Sequence, residues 1–364
     1  MRTIFALAAA LVLTTTAQAQ FELQDSHSTA SFRGIHSIGN GVAWASGTEG
    51  TILRTTDEGK TWQRCATPPD AEKLDFRGIQ AFDQNTAIVM SSGKGDLSRL
   101  YKTTDACKTW KLVFTNPDKD GFWDAIKFVD SARGYLLGDP VQDRFRAFRT
   151  MDSGDTWQGD RDSLLQTFRA NPLTQGAFAA SNSALWVTNL NSTYIVFGTG
   201  GTAGAMVYSA GRILLATGGA GGASRWSVSV GQKTLGSGIF SIYFRYDTGS
   251  FPIGVAVGGD YTKPDDSANT AAQTDTAPGN WFPAQTPPHG YRSSVAYDAP
   301  TKTWITVGPN GTDISRDDGR NWSALKPTAQ DAADADKNWN ALSLPFVVGP
   351  KGRIGHLRPE ALKP

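Results

Sequence analysis

Short apolar runs of about four to eight residues, each broken by Gly, Asp, Asn or Pro, recur along most of the chain. Amphipathic-helix spacing is nearly absent, so the pattern predicts an all-β protein. Four of the clearest runs, residues 42–47, 87–93, 134–138 and 304–308, are apolar strands that end in glycine. Ahead of each lies a second strand opening on an aromatic residue. These are Phe32-Arg33-Gly34-Ile35, Phe76-Arg77-Gly78-Ile79, Phe122-Trp123-Asp124-Ala125-Ile126 and Tyr291-Arg292-Ser293-Ser294.

An octapeptide follows each of these pairs. It reads Thr55-Thr56-Asp57-Glu58-Gly59-Lys60-Thr61-Trp62, and recurs at residues 103–110, 150–157 and 315–322. The hydroxyl at its first position and the carboxylate at its third (Asp57, Asp105, Asp152, Asp317) can accept backbone N–H bonds inside a tight hairpin. Glycine at the fifth supplies a positive φ. The closing tryptophan (Trp62, Trp110, Trp157, Trp322) opens the next strand and can pack between sheets. This is the Asp-box, and its aspartates read as scaffold. The unit is strand a, strand b, a b–c loop, strand c, Asp-box turn, strand d, which is a four-stranded propeller blade.

Two further blades are degenerate. One takes strands from residues 177–181, 194–198, 212–217 and 226–230; the next from 239–244, 255–258 and 281–284, with a polar insertion at 263–280. The tail supplies three strands, at 339–344, 346–349 and 353–357, and residues 21–27 provide a fourth. The expectation is a seven-bladed β-propeller whose last blade is closed by the N-terminal strand, leaving no open edge.

Composition adds the compartment. Arg2, an apolar run at 4–13 and the small-x-small site Ala17-Gln18-Ala19 read as a signal peptide cleaved before Gln20. That leaves a single propeller domain at 20–364, exported to the periplasm or beyond, with no integral membrane span after cleavage. A formal charge of +1 gives no reason to expect a nucleic-acid partner. The two cysteines, Cys65 and Cys107, either pair with each other or stay free. Cys107 stands at the glycine position of its Asp-box, which suggests that something else holds it there, with Cys65 the obvious candidate.

Catalytic signatures are absent. The four histidines (His27, His36, His289, His356) are dispersed, so neither a metal site nor a cofactor is expected. Residues 198–203 match a dinucleotide-binding glycine pattern, but strand-like sequence follows where a helix is required. Asn191-Ser192-Thr193 forms a sequon, and the acidic stretches at 265–266 and 331–336 read as solvated loops. Aligning the innermost strands places Arg33, Arg77, Asp124, Phe178, Phe240, Arg292 and Asn340 around one mouth of the channel. The b–c loops bring Glu49, Lys94, Asp139, Asp260 and Tyr261 to the same face, opposite the Asp-boxes. Three converging arginines suit a carboxylate or phosphate, or they pair with the nearby acids as a structural network.

The Asp-boxes at these intervals resemble those of BNR/sialidase-type propellers. The FRGI strands with the TTDxGKTW hairpins are most similar to the photosystem II assembly and stability factor family and its exported bacterial relatives. That resemblance implies a seven-bladed propeller whose arginine-bearing face, here Arg33, Arg77 and Arg292, binds a protein partner during membrane-complex assembly. The converging arginines themselves leave a small anionic ligand as the other expected partner, and a monomer is expected. The alternative is a glycoside hydrolase. A sialidase would use those arginines as a triad with Tyr261 or Tyr291, although FRGI departs from the family's F/Y-R-I-P; another glycosidase would use the carboxyl pair Asp139 and Asp260. Binding is favoured over catalysis.

Overall fold

The computed structural model describes residues 20–159, 168–189, 193–211, 222–246, 252–274, 280–329 and 331–363. It contains seven four-stranded antiparallel sheets. The signal peptide, the proposed strand at 212–217 and two residues of the sequon lie outside the described residues.

Blade 1 consists of Phe32–Gly39, Val42–Gly47, Ile52–Thr55 and Gln63–Arg64, hydrogen-bonded in chain order. Blades 2, 3 and 6 repeat this meander, with first strands Phe76–Ala81, Trp123–Phe128 and Ser294–Asp298. Blade 7 takes Ala341–Ser343, Phe346–Val348 and Ile354–Leu357 from the tail and Phe21–Gln24 from the N-terminus. Phe21 pairs with Leu357 and Gln24 with Ile354, so the ring closes through both ends of the chain.

The octapeptides form the hairpins expected of them. In the first, Thr55 Oγ1 accepts the Gly59 N–H at 2.9 Å while Asp57 Oδ1 accepts the Thr61 N–H at 3.0 Å and Oδ2 the Thr61 hydroxyl at 2.6 Å. The other three copies repeat these contacts. Hydrogen bonds from Thr61 hold the Asp57 carboxyl down at about 2, so its charge serves the turn. Each tryptophan reaches the preceding blade. Trp62 meets Phe346 at 5.6 Å, Trp110 meets Trp44 at 6.5 Å, and Trp157 stacks on Phe114 at 6.5 Å. Trp322 packs with Val255 and Val257.

The fifth position explains the cysteine pair. A Cβ on Gly59 would lie 2.1 Å from the Gln24 side chain, and one on Gly154 would lie 2.2 Å from Ile88. At Cys107, with φ 62°, the side chain instead bonds Cys65 at the end of blade 1. A disulfide therefore stands where the other copies place a neighbour's side chain against glycine.

The degenerate blades need correction. The first strand of blade 4 is Leu185–Asn189, not residues 177–181; it pairs with Thr193–Gly198, which pairs with Met206–Gly211, which pairs with Gly222–Ser227, so the last strand begins four residues ahead of the expected 226–230. In blade 5, formed by Ser237–Arg245, Ile253–Asp260, Ala271–Thr274 and Phe282–Pro283, the third strand lies inside the stretch read as a polar insertion. Its sequence, Ala-Ala-Gln-Thr, is small and half polar, yet all four residues are buried, so hydropathy did not reveal it.

Residues 177–183 do something a strand would not. The Ala177 N–H donates to Asp139 Oδ1 at 2.9 Å. Ser181 Oγ donates to Ser293 O at 2.7 Å, and Asn182 Oδ1 accepts the Ile126 N–H at 2.8 Å. Asn182 Nδ2 reaches Ile79 O at 3.3 Å, and Ser183 Oγ meets Ser241 Oγ at 2.7 Å. These partners belong to or adjoin the innermost strands of blades 2, 3, 5 and 6, so the segment crosses the channel and plugs it. Alanine and serine suit that narrow space, and their side-chain and backbone bonds replace ladder pairing.

Candidate functional site

Plugging the channel leaves a closed-ended cavity of about 510 Å³ at one mouth. The a–b turns share the other face with the octapeptide hairpins: Glu58 N–H donates to Gly41 O at 3.0 Å, Ala106 to Asn85 O at 3.0 Å and Ser153 to Ala132 O at 2.9 Å. Six of the seven residues aligned on the innermost strands line the cavity: Arg33, Arg77, Asp124, Phe178, Phe240 and Asn340. Phe178 does so from the plug. Asp139, Tyr261 and Tyr291 also line it.

The other candidates lie elsewhere. Arg292 does not reach the cavity. Its side chain is fully buried, with Nε donating to Asp313 Oδ2 at 2.7 Å and Nη1 to Tyr291 O at 2.8 Å and Asn310 Oδ1 at 2.5 Å. Asp260 is held by Thr262 and Thr234, whose hydroxyls donate at 2.6 and 2.8 Å, and it is not a lining residue. Glu49 sits exposed on its loop with φ 55°, and Lys94 pairs with Asp120 at 3.0 Å. The proposed arginine triad and the proposed Asp139–Asp260 pair are therefore not assembled around this cavity.

What is assembled has two walls. On the aromatic side Phe178 stacks on Phe240 at 3.8 Å, and Phe240 meets Tyr291 edge-on at 4.7 Å and Tyr261 at 6.2 Å. On the charged side Arg77 Nε donates to Asp75 at 2.7 Å, and its guanidinium lies 6.0 Å from the Phe122 ring centroid. Arg33 has no hydrogen bond or ion pair to a described residue; burial, then the neighbouring Arg77, lower its affinity for the proton, against the pull of Asp75 and Tyr291. Asp75 and, apart from Phe178, the plug residues were not anticipated. Asp75 had a sequence signal, lying two residues before Arg77 and immediately before the strand Phe76–Ala81. Nothing in the sequence marked the plug.

The acids in this cavity are Asp124 and Asp139. Burial, and then the nearby Asp139 charge, push the Asp124 carboxyl well above the carboxylate range, against the pull of Arg77. Its Oδ2 is buried without a hydrogen-bond partner among the described residues. Burial lifts Asp139 to about 6, partly offset by the Ala177 N–H. Because the folded value exceeds the ordinary 3.8, this carboxyl favours the folded state below that pH and ceases to do so as pH rises through about 6. Stability of the wild type is expected to decline across that window, and Asp139→Asn, which keeps the acceptor for Ala177, should flatten the decline. Urea midpoints measured from one end of the window to the other check this; identical slopes for both proteins rule it out.

Among the described residues no group of three or more His, Cys, Asp or Glu is placed to hold a metal ion. No helix there is long and apolar enough to cross a membrane. A larger opening, about 820 Å³, lies away from this ring among the loops that carry Asp265, His289, Asn310, Asp331 and Asp336.

No family model matches the chain, and no curated protein matches it in sequence. Solved structures do match. The chain resembles the photosystem II assembly factor YCF48. One structure, "YCF48 bound to D1 peptide", aligns with a TM-score of 0.58 at 17% identity, covering 94% of this chain and 97% of that one. YCF48 from Cyanidioschyzon merolae aligns at 0.61 and 16% identity, covering 94% and 100%. A GH74 xyloglucanase from Xanthomonas campestris aligns at 0.50 and 12% identity, covering 88% of this chain and 56% of that one. At these identities the likeness to YCF48 is one of fold.

Proposed function

We propose that the plugged mouth binds a segment of a protein partner, setting an acidic group of the partner against Arg33 and an apolar side chain against Phe178, Phe240 and Tyr261. The observation that carries this reading is the unpaired Arg33. Arg77 has Asp75 and Arg292 has Asp313, whereas Arg33, in an open cavity, makes no ion pair or hydrogen bond to a described residue and feels Asp75, already bonded to Arg77, only at a distance. A half-buried cation beside an aromatic wall is a ready receptor for a carboxylate with an adjoining apolar group. A propeller of this architecture holding a peptide, as in the D1 complex, supports the same reading. The role would be that of an assembly factor outside the cytoplasm. Export is supported by the signal-like residues 1–19 and by the disulfide, which suits an oxidising compartment.

Fluorescence anisotropy with a library of short peptides rich in Asp, Glu and aromatic residues tests it. Arg33→Ala should weaken the best binder at least tenfold, about 1.4 kcal/mol, with the melting temperature unchanged. Unchanged affinity removes the basis for the proposal. A glycosidase is the second reading, favoured by the raised Asp124–Asp139 carboxyl pair. Hydrolysis of xyloglucan or sialosides by the wild type, abolished in Asp124→Asn, would replace binding with catalysis.

A further inference from the structure

The N-terminal strand that closes blade 7 begins beside the Asp331 carboxylate. The backbone nitrogen of Gln20 lies 3.1 Å from Asp331 Oδ1 and 3.1 Å from Oδ2. The two residues are 311 positions apart, so this contact depends on the closed ring. An amide nitrogen carries one hydrogen and shares it poorly between two oxygens. An α-ammonium group carries three and brings a full positive charge. Gln20 is only 6% exposed, where an ammonium group is tolerated only with a counter-ion at hand. The rest of the residue is seated as well. Its Nε2 donates to Lys326 O and its backbone carbonyl accepts the Arg358 N–H at 2.9 Å, while its Oε1 is buried without a hydrogen-bond partner among the described residues. Asp331 is itself fixed, its Oδ2 accepting from Thr328 N at 2.8 Å and Thr328 Oγ1 at 3.0 Å.

We propose that the chain is processed between Ala19 and Gln20, and that the α-ammonium group so created latches onto Asp331 and locks the closing strand to the loop between blades 6 and 7. Processing breaks the Ala19–Gln20 peptide bond with one water; the new carboxyl leaves with residues 1–19, and the new amine takes a proton. The same seat protects the terminus from cyclisation. That reaction would join the α-nitrogen of Gln20 to its side-chain carbonyl carbon and expel ammonia. Here the α-nitrogen is committed to Asp331 and the side-chain amide to Lys326, which holds the two reacting ends in separate partnerships.

The full chain, secreted with its own residues 1–19, is the material for the test. A second version carries Gly-Ser inserted between Ala19 and Gln20, so that after export its ammonium group stands two residues beyond the seat. Intact-mass and terminal-peptide spectrometry should find an uncyclised Gln20 amine on the first. Asp331→Asn should then lower the melting temperature of that protein by on the order of 5 °C, and by less than half as much in the extended version. The extension alone should also lower it. The difference between versions isolates the charge from the ordinary turn bonds to Thr328, which both retain. Equal losses in the two, a first residue other than Gln20, or a cyclised Gln20 would each overturn the latch. None of these outcomes touches Arg33, so the latch and the partner-binding reading fail or stand separately.

Discussion

Arg292→Ala is expected to destabilise the protein by about 3–5 kcal/mol without removing a side chain that lines the Arg33 cavity. The guanidinium is fully buried, and its Nε and Nη2 both donate to Asp313, itself 2% exposed. Burial weakens the proton's hold on Arg292, while Asp313 strengthens it. Removing the arginine leaves a buried carboxylate whose remaining polar side-chain partner is His289, 2.6 Å from Oδ1. The double variant Arg292→Met/Asp313→Asn should recover much of the loss, because neither charge then needs solvating. Guanidinium chloride melts of the three proteins check the claim. A single-variant loss below about 1 kcal/mol, or recovery absent from the double variant, would show that the pair is not what holds this corner of blade 6. The experiment matters for function too, since Arg292 looked like a third member of a binding triad.

The second large effect belongs to the Cys65–Cys107 bridge. It closes a loop of 42 residues in the chain, for which loop entropy alone gives about 4 kcal/mol. Cys65→Ser is expected to cost about 2–4 kcal/mol, leaving Cys107 buried and strained at φ 62°. Cys107→Gly restores the octapeptide's own residue and relieves about 1 kcal/mol of that strain, so its cost should be smaller by about that amount. Denaturation under matched oxidising conditions separates the two variants. If Cys107→Gly proves as stable as the wild type, the bridge contributes nothing that glycine does not.

Much of the architecture was legible because a propeller repeats its local chemistry. Four octapeptides with a hydroxyl–carboxylate–glycine–tryptophan order, broken only by Cys107, each close their turn internally, so sequence spacing is enough to recognise them. Blades 4 and 5 lack that chemistry. In blade 5 the third strand, Ala271–Thr274, is buried without being conspicuously apolar, and hydropathy passed over it. The candidate site was half legible for a related reason. Register on the innermost strands was enough to bring Arg33, Arg77, Asp124, Phe240 and Asn340 to one mouth. It could not say that Arg292, in the equivalent place, turns into the blade to meet Asp313.

By itself, then, the sequence determined the all-β class, the repeat, the number of blades and the closure of the last one by the first strand, because each rests on contacts between residues near in the chain or on a simple count. Only the tertiary structure decided the rest: the plug at residues 177–183, the isolation of Arg33, the burial of Asp124 beside Asp139, and the meeting of Gln20 with Asp331. These depend on pairings between different blades, and on how much water each group loses. Neither quantity is written in local pattern. Burial is a property of the closed ring, and it is burial that turns an arginine or an aspartate on an inner strand into either a structural pair or a group left open for a ligand.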